Sequence, residues 1–246
     1  MCGRYVSPDE AAIERAWHVG RGNNEPFPRR YNVQPTTAVA ILRRPPESAA
    51  MELARARWGL IPPWWKDAKP PKFSFNARLE EAASKPMWRH PLRHARCLVP
   101  AEGWYEWRAA ERPDPQSGKP KVFKQPHYIR RKDARPFCFA GLLSFWTPPV
   151  GGTTQLSCSI LTTAATGPVA EVHDRMPVVL DDAAHASWLD PGLVDAESVA
   201  ELIRAHALAA QFRHFEVSTL VSAGRAEGAQ LIEPLVAAVA PPGKVE

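Results

Sequence analysis

The sequence predicts an α+β fold: a single domain on a twisted, mostly antiparallel sheet or open β-barrel-like core, with short helices at its flanks. Three observations carry this expectation. About ten short apolar or alternating runs are separated by turn residues, 26 prolines punctuate 246 residues, and no internal repeat or dividing linker interrupts them. A hydrophobic content of 45% is ample for one core at this length. The domain is expected over residues 1–236, with 237–246 as a disordered tail.

In chain order, Ser7-Pro8-Asp9-Glu10 reads as a capping box, with Ser7 as N-cap and Pro8 at the first helical position of a helix to about Trp17. Residues 20–36, dense in glycine, asparagine and proline, read as an irregular loop carrying Arg21, Arg29 and Arg30. Residues 38–42 and 51–58 alternate as a hairpin. The stretch 58–67 (WGLIPPWWKD) is too rich in proline for regular structure and too aromatic for a plain solvated loop, so it is either a lid on the core or a stacking surface. A brief strand is expected at 73–75 and a helix from Leu79.

Residues 96–107 (RCLVPAEGWYEW) read as strand, turn, strand. Two-residue alternation turns Glu106 away from Tyr105 and Trp107, toward solvent. Residues 108–120 have the composition of a mobile loop before strands at 121–130 and 136–146. A turn at 146–152 leads to a buried strand at 154–162, a short helix at 164–171 and a strand at 178–180. Asp181 caps a helix ending near Trp188, and Asp195 caps one with Val199, Leu202, Ile203 and His206 at helical spacing. A last strand is expected at 215–220.

No run of 18 apolar residues and no secretory pattern occurs, so the expectation is a cytoplasmic protein, nucleoid-associated in a bacterium. Cys2, Cys97, Cys138 and Cys158 show no metal-ligand spacing, and no metal or cofactor is expected. The net charge of +5 is unevenly spread. Residues 1–135 hold 26 Lys/Arg against 14 Asp/Glu, and residues 136–246 hold 5 against 12. So basic a half suits a polyanion such as nucleic acid, though a solvated basic surface would read the same.

Methionine removal before Cys2 would leave an amino-terminal cysteine. Its α-amine (reference pKa roughly 8) and thiol (about 8.5) are both partly deprotonated near neutral pH. With an aldehyde, such a pair forms an imine through nitrogen and closes it through sulfur to a thiazolidine.

Taken together, Met1-Cys2-Gly3-Arg4-Tyr5, Tyr31-Asn32-Val33-Gln34-Pro35-Thr36, Trp58-Gly59-Leu60-Ile61-Pro62, Asn76-Ala77-Arg78-Leu79-Glu80, Pro100-Ala101-Glu102-Gly103-Trp104-Tyr105-Glu106-Trp107 and Val172-His173-Asp174-Arg175-Met176-Pro177 resemble the SRAP family, in family order and over nearly the whole chain. The resemblance implies capture of abasic sites in single-stranded DNA through the terminal cysteine. It implies that Cys2 crosslinks and that Asn76, Glu106 and His173 line its pocket. It implies also that Arg4, Arg78 and Arg175 hold phosphates, while Pro35, Trp64, Trp65 and Thr162 shape the DNA channel. Ser222 stands where relatives often carry asparagine, so no site residue is carried over there.

In that chemistry His173 would protonate a sugar oxygen, Glu106 would shuttle protons, and Asn76 would orient without titrating. Weak lyase activity and slow release follow from the same groups. Two other readings stand beside it: an N-terminal-nucleophile peptidase, and a non-covalent reader of modified DNA. A monomer is expected.

Overall fold

The computed structural model describes residues 2–19, 25–113 and 118–235; Arg21 and the expected tail at 237–246 lie outside them. The chain begins with β1 (Tyr5–Ser7) and turns at once into α1 (Glu10–Trp17). The N-cap is Asp9 rather than Ser7: Asp9 Oδ1 accepts from the Ala12 N–H at 2.8 Å, while Ser7 belongs to β1. Glu10 takes no part in a capping box, because its carboxylate accepts from the Phe27 N–H at 2.9 Å. Part of the expected loop at 20–36 is ordered by pairing, as β2 (Arg30–Val33) runs antiparallel to β1.

The predicted hairpin is present as β3 (Ala38–Arg43) and β4 (Glu52–Trp58), in register from Ala38↔Arg57 to Arg43↔Glu52. The strand expected at 73–75 lies instead at β5 (Asn76–Arg78), because Phe73 takes φ 58° in a turn. The short helices α2 (Leu79–Ala82) and α3 (Arg89–His94) lead into β6 (Arg96–Ala101). Next, β7 (Gly103–Pro113) and β8 (Pro120–Arg131) form a long hairpin. Their ladder continues to Pro113↔Pro120, so most of the expected loop at 108–120 is strand, and backbone pairing overrides a loop-like composition.

A second hairpin joins β9 (Phe137–Trp146) to β10 (Gln155–Ala164) through the expected turn. A 3-10 turn at Gly167–Glu171 precedes β11 (Arg175–Pro177) and β12 (Val179–Leu180). Asp181 and Asp195 cap the following helical segments as predicted, including α4 (His185–Trp188) and α5 (Ala196–His206). The last strand, β13 (Phe212–Glu216), ends earlier than expected, since Thr219–Ser222 winds into a 3-10 turn.

Strands β10, β4, β3, β6 and β9 follow one another, and β9 pairs back onto β10, so five strands close into a small barrel. Apart from the parallel contacts of β10 with β4 and β5, the pairings are antiparallel. A second sheet, in the order β13-β8-β7-β1-β2, packs against the barrel. Trp104 of that sheet meets Phe137, Phe139 and Phe212 edge-on, with ring centroids 6.1, 6.0 and 5.0 Å apart. The other face is covered too: Tyr105 and Tyr128 pack with Val217, Val221 and Leu231. Gly103 makes this possible, because a Cβ there would stand 2.5 Å from the Tyr128 ring.

Asn32 fastens the covering segment to the sheet. It is 1% exposed, and its amide donates to the carbonyls of Val221, Ala223 and Ala226. Asn32→Ala leaves several buried acceptors unmet and is expected to cost roughly 2–4 kcal/mol. Urea unfolding measures this, and a change below about 0.5 kcal/mol would refute the role.

Candidate functional site

The Tyr5 ring packs edge-on against Trp58 and Phe139, at 5.3 and 5.7 Å, which draws the preceding residues across one mouth of the barrel. Cys2 is fully buried there. On β10, Ile160 stands opposite Asn76, whose amide nitrogen reaches the Cys2 carbonyl at 2.8 Å. Burial pushes the Cys2 thiol well above its ordinary pKa, the Glu106 charge adds to this, and the Arg4 N–H opposes it. The sulfur therefore rests as a thiol.

Glu106 is 2% exposed, which corrects the solvent-facing reading. Glu106 does face away from Tyr105 and Trp107, but that face is dry: it is the one Trp104 presents to the barrel. Burial pushes the Glu106 carboxyl up to about 7, so it holds and releases a proton near neutrality. His173 Nε2 lies 3.8 Å from Glu106 Oε2.

Two groups compete for His173 Nδ1: the Arg175 N–H donates to it at 3.0 Å, and Asp174 Oδ1 approaches within 2.8 Å. The N–H belongs to β11, whereas the Asp174 side chain is 86% exposed. We therefore assign Nδ1 as acceptor and place the ring hydrogen on Nε2, toward Glu106. Burial lowers the His173 pKa, which favours this neutral ring.

A cavity of about 440 Å³ opens over Glu106 and His173, lined also by Arg4, Trp107, Lys124 and Ser222; Cys2 and Asn76 lie outside its lining. Arg4 is braced by Asn32 Oδ1 and the Val221 carbonyl, each at 2.9 Å. The Trp107 indole N–H donates to Ser222 Oγ at 3.0 Å. Trp107 and Lys124 were not taken as site residues from sequence, and Ser222 was set aside there as a departure from the family pattern. Trp107 adjoins Glu106, but Lys124 is revealed only by the β7–β8 register and Ser222 only by the covering segment.

The other candidates surround this centre unequally. Arg175 is clasped by both oxygens of Glu80, at 2.7 and 2.9 Å, and by the Thr162 carbonyl at 2.8 Å. Thr162 is fully buried, its hydroxyl 3.3 Å from the Arg175 guanidinium. Arg78 is exposed at the end of β5, opposite Thr162. Pro35 lies half-buried in the turn between β2 and β3.

Trp64 and Trp65 are not in the cavity lining. The Trp65 carbonyl accepts from the Trp146 indole at 2.8 Å, which ties the pair to the end of β9; Trp64 is 55% exposed, its ring 6.2 Å from that of Trp65. Cys97, Cys138 and Cys158 are buried free thiols. Among the described residues, no three His, Cys, Asp or Glu side chains are grouped to hold a metal ion, and no helix is long and apolar enough to cross a membrane.

Residues 1–223 match the family described as SOS response associated peptidase (SRAP). The abasic site processing protein YoqW of Bacillus subtilis is 36% identical over 238 residues, covering 95% of this chain and 99% of that protein. YedK of Escherichia coli, which carries the same description, is 34% identical, with 96% and 100% covered. HMCES of Xenopus tropicalis, again an abasic site processing protein, is 30% identical over 92% of this chain and 76% of its own. Among solved structures, a Bacteroides thetaiotaomicron protein superposes with TM-score 0.73 at 21% identity, over 96% of this chain and 100% of its own. A phage-related protein of Bordetella bronchiseptica gives 0.64 at 31% identity, over 89% and 95%.

Proposed function

The chain belongs to the SRAP family, and from that premise we propose that it processes abasic sites in DNA by capturing them covalently on Cys2 once Met1 has been removed. The observation that carries this reading is the Asn76–Cys2 clasp, 2.8 Å long, beside the buried Glu106 carboxyl. It fixes the backbone of the reacting residue near Glu106, which lines a cavity large enough for a sugar.

The open form of an abasic deoxyribose presents an aldehyde, and the Cys2 amine adds to it. Protonated Glu106 then gives its proton to the departing hydroxyl, so water leaves and an imine forms. The thiol adds to the imine carbon, its proton passes to nitrogen, and the ring closes as a thiazolidine with one water released overall. His173 Nε2–H donates to the sugar oxygen as the hemiacetal opens.

The partner in this reading is single-stranded DNA, where the damaged nucleotide has no partner base to leave. Arg4, Arg78 and Arg175 would hold flanking phosphates, with Arg175 exchanging Glu80 for one of them. Pro35, Trp64 and Trp65 would guide the strand outside the cavity. One self-contained domain acting on one site favours a monomer.

The test mixes the purified protein with a single strand bearing one abasic site and runs a denaturing gel, with intact mass recorded in parallel. The expected result is a shifted band, absent with an undamaged strand, from protein lacking its first methionine. A complex that dissolves on denaturation would favour a non-covalent reader. No complex, with cleavage of a peptide instead, would favour a peptidase.

A further inference from the structure

At the barrel mouth opposite the cavity, we propose a second contact surface for single-stranded nucleic acid, built from Arg43, Arg44, Arg93 and His94 around Phe145. The placement follows from strand register. β3 enters at Ala38 opposite Arg57, on the side where Asn76 and Cys2 sit, and leaves at Arg43 opposite Glu52. Its six residues separate the two mouths by roughly 20 Å.

Arg43, Arg44, His94, Arg96 and Phe145 line a small cavity of about 120 Å³ there, with room for one phosphate group. Arg44 points to what would fill it. Its Nε is buried and has no hydrogen-bond partner among the described residues, and its one ion-pair contact among them, Asp190 Oδ1, stands 3.9 Å from NH1. A buried guanidinium donor left unmet is costly; with only the long contact to Asp190 holding the group, a turn of the Arg44 side chain would bring it to a phosphate oxygen in the cavity. Four of the five Arg96 donors already meet the carbonyls of Leu92, Arg93, Trp188 and Asp190, so it contributes chiefly charge.

The helix beside the cavity reads Arg89-His90-Pro91-Leu92-Arg93-His94: its two apolar residues are buried and its arginines and histidines are exposed, with the His94 pKa lowered by burial and by its cationic neighbours, so the arginines carry the charge. Glu52, held by Arg43 at 2.6 Å, Asp190 in the turn to Gly192 and the cap residue Asp195 offset this only in part.

Phe145 specifies the class of polyanion. It is 43% exposed, and the Arg43 guanidinium lies 5.6 Å from its ring centre, so an aromatic face and a cation stand side by side. That pairing suits an unpaired base stacked on the ring with its phosphate on the arginines. A duplex keeps its base faces covered and could use only the charges. The surface would hold the strand that leaves the capture cavity; it depends on nucleic acid as partner but not on the covalent step.

The experiment measures binding of undamaged single strands of about 8 and about 30 nucleotides, and of a 30-mer duplex, across a salt series. The double variant Arg44→Glu/Arg93→Glu is expected to weaken binding of the long strand at least fivefold and to lower its salt slope by about 1.4, the share of two phosphates. The short strand, held at the cavity alone, should bind as it does to the parent. Phe145→Ala should weaken the long single strand about fivefold and leave the duplex unchanged. Unchanged binding of the long strand by the charge variant overturns the proposal, as does equal weakening at both lengths, which would place the effect in the fold. Insensitivity of the single strand to Phe145→Ala overturns the stacking assignment.

Discussion

Glu106→Gln is expected to slow covalent capture by about 10²–10³-fold while making the protein more stable above neutral pH. Glutamine keeps the shape and can still hydrogen-bond, but it cannot deliver a proton to the hydroxyl that leaves when the imine forms. The pH profile separates this from a packing defect. In the parent, capture falls at low pH as the amine becomes ammonium, and falls above about 7 as Glu106 ionises and loses the proton it must donate. The variant should keep the first limb and lose the second. Single-turnover crosslinking from about pH 5.5 to about 8.5 reads both limbs.

The stability half follows from linkage. The folded carboxyl has its pKa raised to about 7, while in the unfolded chain it ionises near 4.5. Between those values the folded state binds more protons, so the parent loses stability as pH rises through the window. Full ionisation above it corresponds to a cost of roughly 3 kcal/mol. Glutamine has no charge to desolvate, so urea unfolding of the variant should be flatter from pH 5 to pH 8 and show the greater stability at pH 8. Parallel unfolding profiles with equal capture rates would remove Glu106 from the proton-transfer role.

Much of this arrangement was legible in the chain because it is local. The β3–β4 hairpin, the β9–β10 turn and the aspartate caps at Asp181 and Asp195 each follow from a few neighbouring residues, and the structure has them. The misreadings have long-range causes. Ser7 lost the cap because β2, more than twenty residues away, claims its strand, and Glu10 is taken by Phe27. Glu106 was read as exposed because the face opposite Tyr105 and Trp107 was taken as wet, whereas that face turns with Trp104 toward the barrel, and residues 217–232 dry the other one. Lys124 and Ser222 enter the cavity from a hairpin partner and from a segment fastened by Asn32, and neither arrangement leaves a mark within ten residues of the side chain it places. The basic half of the chain was visible as charge, but not that Arg175 is neutralised by Glu80 while Arg44 is left with an unmet donor.

Cys2→Ser is expected to convert a durable adduct into a transient one. The fully buried thiol is held protonated, so it does not compete with the amine for the aldehyde, and the amine reacts first. Once the imine is protonated, a positive charge sits two bonds from the side chain and favours the thiolate, which adds to the same carbon. Serine reaches the same place, but its hydroxyl is a far weaker nucleophile and leaves the imine open. An open imine keeps the electron-withdrawing nitrogen that β-elimination requires, so the serine protein should nick abasic DNA faster than the parent, by at least about tenfold. Borohydride reduces the C=N bond and should trap the serine adduct in good yield while leaving the parent's thiazolidine unaffected. Without reductant, the gel band from the serine protein should fade on heating and the parent's should persist. Equal persistence of the two bands, with equal nicking, would show that nitrogen alone holds the sugar.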